Sequence, residues 1–97
     1  MKATLLIKLL SETSKPEMIK LLLKALFTNK EIKELENRIK IFQLLLKGKK
    51  QREISEILNV GIATVTRGAS ALENEDIFKI NSEIIQMLKT NKIDLND

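Results

Sequence analysis

Apolar side chains recur along this chain at intervals of three and four, and polar residues divide the pattern into about six segments. Leu5, Leu6, Leu9 and Leu10 lie on one side of a first helix that ends in the polar run from Ser11 to Lys15. Ser14 is the expected N-cap of a second helix, with Pro16 just inside it and Ile19, Leu22, Leu23, Leu26 and Phe27 making most of its circumference apolar. Thr28-Asn29-Lys30-Glu31 has the spacing of a capping box, in which a hydroxyl and a carboxylate satisfy free backbone donors at a helix start. A long third helix over residues 29 to 47 follows, with Ile32, Leu35, Ile39, Phe42 and Leu46 on one stripe, and Ile41, Leu44 and Leu45 widening it. Gly48 is its expected stop.

Residues 51 to 68 then carry a helix-turn-helix pattern. Ile54, Ile57 and Leu58 share the inward face of a short helix whose polar side carries Gln51, Arg52, Ser55 and Glu56. Asn59 tolerates a left-handed turn, Val60 is an apolar plug, Gly61 lets the backbone bend, and a second helix starts near Ile62 with Val65 inward. Ala63, Thr64, Thr66 and Arg67 are left on the outer side, short enough to allow close approach to DNA. Farther on, Glu73 to Asp76 is an acidic connector and helix start, and Ile77, Ile80, Ile84, Met87 and Leu88 mark a last helix ending near Thr90, with a frayed tail.

The 97 residues make a single all-α domain, with the helix-turn-helix at about 50–70 and candidate dimerisation helices at about 2–47 and 76–90. So much leucine surface exceeds what a small monomer covers by itself, and an intertwined homodimer is the expected solution; one compact core is the alternative. With no cysteine and no histidine, the chain has no disulfide framework, no thiolate metal site and none of the commonest general base, so an enzyme is not expected and no metal is assigned. Lys8 interrupts the apolar start too early for a signal peptide, which fits a cytoplasmic protein with no membrane association. The net charge of +4 is modest, but residues 38 to 67 hold seven of the basic residues against Glu53 and Glu56, leaving the remainder slightly negative. Positive charge therefore gathers at the helix-turn-helix, where phosphate neutralisation would support DNA binding.

Gly-Ile-Ala-Thr-Val-Thr-Arg-Gly at residues 61 to 68 resembles the tryptophan repressor family, and the likeness runs back through Gln51-Arg52-Glu53, Asn37-Arg38-Ile39-Lys40-Ile41 and Thr28, and forward to Leu72. The resemblance implies an intertwined dimer that binds double-stranded operator DNA when L-tryptophan, or a related indole, fills a pocket behind each reading head. Arg38 and Arg67 would flank the indole ring, as planar guanidinium groups stack on aromatic faces and reach carboxylates. Gly68 would pack against the ring, Phe42 would lie near the pocket floor, and Thr28 with the carbonyls of Ala25 and Phe27 would lie near the ligand's polar end. By residue type alone, each arginine is more often a surface ion pair or a phosphate contact. The chain departs from the family pattern at Ala71, where many members have a serine, at Phe42 in place of a smaller aliphatic, and at Ser55 in place of a lysine. The turn before Gln51 is also one residue shorter.

The expected function is a ligand-dependent dimeric repressor that needs no cofactor beyond its corepressor. Arg52 would read guanine; Lys49, Lys50 and Gln51 would meet phosphates; and Thr64 and Thr66, beside Ile62 and Ala63, would face the groove. Two alternatives stay open at this level: a repressor that needs no ligand because Phe42 fills the pocket, and a helical protein-interaction module that does not touch DNA.

Overall fold

A computed structural model describes residues 2–74 and 82–93. Six helices and no strand are present among them: α1 Thr4–Glu12, α2 Pro16–Leu26, α3 Asn29–Leu46, α4 Gln51–Leu58, α5 Ile62–Asn74 and α6 Ser82–Thr90. The chain divides into two compact units, Met1–Glu34 and Leu35–Asp97, with the division falling inside α3.

In the first unit the helix boundaries follow local chemistry. Lys15, in place of Ser14, takes the N-cap position of α2, in an extended conformation that suits a residue before proline; no side chain caps this end. The Lys15 carbonyl instead accepts from the Met18 and Ile19 amides. Helix α2 stops at Leu26 because Phe27 turns extended, its N–H donating to the Leu23 carbonyl at 2.9 Å. The capping box then forms as the sequence implies: the Thr28 amide donates to Glu31 Oε1 at 2.9 Å, and the Glu31 amide donates to Thr28 Oγ1 at 3.1 Å. The Thr28 amide bond to the carboxylate, and after it the Thr28 hydroxyl, favour the ionised form and hold the Glu31 pKa below its ordinary 4.5. Neither α1 nor α2 buries a residue, and Leu5, Ile7, Met18 and Leu21 are all more than half exposed.

The buried core lies in the second unit, where Ile41, Ile54 and Val65 are fully enclosed and Leu44 nearly so, with Leu45, Leu58, Val60 and Ile93 packed against them. One residue each from α3, α4 and α5 thus meets at the centre. The broad apolar face of α3 is split: Leu35 and Ile39 are 45% and 44% exposed, and the flank containing Ile41 and Leu44 points inward. The periodicity located an amphipathic helix, but α3 is apolar around so much of its girth that which apolar face goes inward depends on what packs there. The same side encloses Lys40 and Gln43, each 5% exposed, and the Gln43 amide nitrogen donates to the Asn91 carbonyl at 3.1 Å beyond α6.

Gly48 ends α3 with φ 84°, which a glycine adopts without strain. The Gly48 amide donates to the Leu45 carbonyl and the Lys49 amide to the Leu44 carbonyl, each at 3.0 Å, closing the helix end in a Schellman motif. Glu73, expected in a connector, belongs to the last turn of α5; Asp76, Ile77, Ile80 and the tail from residue 94 lie outside the described residues.

Candidate nucleic-acid interface

The hairpin of α4 and α5 starts from Lys50, whose amide donates to Glu53 Oε1 at 3.3 Å and so gives α4 half of a capping box. Its C-terminal end depends on Asn59, a non-glycine in the left-handed region at φ 54° and ψ 48°. The left-handed turn expected of Asn59 is therefore present, whereas Gly61 is not in the left-handed region. Gly61 instead starts α5, its carbonyl accepting from the Thr64 and Val65 amides.

Ser55 departs from its expected place on the outer polar face of α4. Half-buried, it donates its hydroxyl to the Val60 carbonyl at 2.6 Å, and its own carbonyl accepts from the Val60 amide at 3.2 Å. The turn is thus latched twice to one residue. Ile57, assigned to the inward face, is 39% exposed; Ile54 and Val65 carry the packing between the two helices.

The side chains proposed for DNA gather on this hairpin. Lys49, Lys50, Arg52, Ile62, Ala63 and Thr66 are exposed, and Gln51 and Thr64 are half-buried. Thr66 Oγ1 donates to Gln51 Oε1 at 2.9 Å, bridging α5 to the first residue of α4. One Arg67 guanidinium nitrogen lies 3.4 Å from Thr64 Oγ1, within hydrogen-bond reach. Lys40, counted in the basic stretch by sequence, is enclosed in the second unit and lines a cavity of about 330 Å³ between α3 and α6. The exposed cations of the hairpin region are therefore Lys47, Lys49, Lys50, Arg52 and Arg67.

The residues proposed for a ligand fall in two groups. Ala25, in the last turn of α2, and Phe27 and Thr28, in the turn between α2 and α3, belong to the first unit, where the Thr28 hydroxyl oxygen already accepts from the Glu31 amide. Arg38, Phe42, Arg67 and Gly68 belong to the second unit. Arg38 is half-buried; a Cβ added to Gly68 would lie 3.6 Å from the Arg38 Cδ, so the arginine stem runs beside the glycine that follows Arg67. The same Cβ would meet Ile41 Cγ2 at 2.8 Å. Gly68 is thus required for the close packing of α5 on α3, a demand that its expected place beside a ligand ring does not include. Phe42 is half-buried. Among the described residues, no group of three or more acidic, histidine or cysteine side chains is placed to hold a metal ion, and no helix is long and apolar enough to cross a membrane.

Two short helices about a left-handed turn, with a fully buried Ile54 and Val65 between them and a polar and cationic outer face, define a helix-turn-helix protein. The chain belongs to the Trp repressor protein family, whose model matches residues 2–80. It is similar to proteins named Trp operon repressor homolog from Xylella fastidiosa (strain M23), 38% identical over 74 residues covering 75% of this chain and 80% of the relative. Those from Vibrio vulnificus (strain YJ016) and Vibrio parahaemolyticus are 45% identical over 65 residues and 38% over 71, covering 63% and 72% of this chain and 64% and 69% of theirs. No solved structure matches the chain at a significant level.

Proposed function

We propose that this chain is a homodimeric transcriptional repressor, acting in the cytoplasm, that binds operator DNA through α4 and α5 when L-tryptophan or a related indole is bound. The observation that carries this reading is the exposed face of the α4–α5 hairpin, with Arg52, Ala63 and Thr66 at the surface, in a member of the Trp repressor family. The relatives' printed name, Trp operon repressor homolog, supports the repressor role and the link to tryptophan. No catalytic role is assigned.

Arg52 is the candidate for a direct base contact, since a guanidinium bonds guanine O6 and N7 together. Lys49 and Lys50 neutralise phosphates, and Ile62, Ala63 and Thr64 line the surface that enters the groove. The Arg38 and Arg67 guanidinium groups, both in the second unit, are the candidates to flank the ligand's ring. Dimerisation covers the faces of α1 and α2 where the described chain leaves Leu5, Ile7, Leu9, Leu10, Met18 and Leu21 exposed. Two hairpins about 34 Å apart would then meet successive major grooves.

Calorimetric unfolding of the full chain with added L-tryptophan tests the ligand. At about 100 times the dissociation constant, binding stabilises the fold by about 2.7 kcal/mol, and Arg38→Ala and Arg67→Ala remove the effect while leaving helicity unchanged. Duplex binding at low salt, measured with and without tryptophan, tests the regulation. No stabilisation by any amino acid or indole compound, together with unchanged duplex binding, would overturn ligand control.

A further inference from the structure

We infer that Thr66 is a positioning residue that fixes the Gln51 carboxamide as a hydrogen-bond donor toward DNA; the inference rests on the proposed DNA-binding role. Gln51 is the first residue of α4 and Thr66 lies on α5, and the two helices are fixed against each other by the fully buried Ile54 and Val65. The 2.9 Å bond from Thr66 Oγ1 to Gln51 Oε1 therefore joins two rigidly held positions.

A free carboxamide can turn either end outward, and that freedom lets glutamine pair with adenine by giving a proton to N7 and taking one from N6. Here the oxygen is turned to α5 and occupied by the threonine proton. The nitrogen, bonded to the same carbon, is turned away from Thr66 with two N–H groups to offer. Gln51 so held pairs with acceptors, namely phosphate oxygens, guanine O6 or N7, or thymine O4, and cannot make the two-bond adenine contact. A threonine hydroxyl inside a helix has an alternative acceptor in the carbonyl one turn back; here it bonds across the hairpin. On this arrangement Thr66 contributes to affinity through Gln51, and its hydroxyl proton is not available to the DNA.

The test uses the full chain with L-tryptophan at low salt and duplexes enriched by the wild type from a pool with about 20 randomised base pairs. Thr66→Val weakens binding of the enriched duplex about fivefold, the scale of one side-chain hydrogen bond, and Thr66→Ser stays within about twofold of wild type. In a Gln51→Ala background, Thr66→Val has no further effect. Gln51→Glu, which keeps the oxygen that Thr66 bonds but has no N–H to give, binds at least as weakly as Gln51→Ala. An equal loss on Thr66→Val in both backgrounds, or wild-type binding by Gln51→Glu, overturns the inference while leaving the DNA-binding role intact. Failure of the wild type to enrich any duplex overturns both.

Discussion

Gly68 and Gly61 are two glycines of the same motif with opposite structural demands. A Cβ at Gly68 would lie 2.8 Å from Ile41 Cγ2, closer than real Cβ atoms approach, whereas nothing lies within 4 Å of one at Gly61. Gly68→Ala is therefore expected to destabilise by about 1–3 kcal/mol through overpacking, and Gly61→Ala to change stability by less than about 0.5 kcal/mol in urea unfolding. Equal effects would show that α5 packs on α3 more loosely than described. Glu31 gives the pH-dependent counterpart. Its pKa is lowered by the Thr28 backbone amide first and the Thr28 side chain second, so its contribution to stability is full above 4.5 and is lost as pH falls through the lowered value. Carbon-13 titration should place the Glu31 midpoint below 4.5, and Thr28→Ala should move it upward. The capping box was legible in four residues because both partners are local. The role of Gly68 was not, because Ile41 lies 27 positions away and no local pattern couples them.

At the level of elements, the turn between α4 and α5 concentrates strain and its compensation in two residues. Asn59 holds the left-handed conformation, and Ser55 bonds Val60 through both its hydroxyl and its carbonyl. Asn59→Val is expected to cost about 1–2 kcal/mol, as a branched side chain crowds the carbonyl at positive φ, and Ser55→Ala about 1 kcal/mol. Asn59→Gly should be close to neutral in the same urea series, and a loss matching that of valine would show that the asparagine side chain, and not φ, sets the turn. From sequence, the bend was divided between Asn59 and Gly61, since both residue types tolerate it; the φ values assign it to Asn59. Ser55 was read as a surface residue because a serine on the polar side of an amphipathic helix carries no sign of what lies beyond the helix end. Helix α3 posed the opposite difficulty, with apolar residues around so much of its girth that periodicity could not select the face containing Ile41 and Leu44.

For the whole molecule, charge and apolar surface lead to separate expectations. Lys49 and Lys50 are exposed, whereas Lys40 is 5% exposed in the second unit. If DNA binding follows the proposed face, replacing Lys49 or Lys50 by methionine should lower the slope of log affinity against log salt by about 0.9 for each phosphate no longer neutralised, and Lys40→Met should leave that slope unchanged. A reduced slope for Lys40→Met would mean that its ammonium reaches the DNA after all. The exposed Leu5, Ile7, Leu9 and Leu10 of α1 predict sedimentation at twice the chain mass of 11.1 kDa, with Leu9→Lys shifting the population toward monomer. A wild-type monomer at micromolar concentration would rule out the proposed dimer. The expectation of a partner rests on leucines numerous for so short a chain to enclose.

The close approach of α5 to α3 at Gly68 also has a mechanical meaning. Were α5 to tilt about the contact of Gly68 with Ile41, the six residue steps from Gly68 back to Ile62 would act as an arm about 9 Å long. A tilt of about 10° at this contact would carry Ile62 through about 1.6 Å, enough to make or break a hydrogen bond at the arm's end while displacing the contact itself very little. Arg67 lies next to this contact and Thr64 farther along the arm, so a small displacement beside the glycine would appear as a larger one at the surface proposed to face the groove.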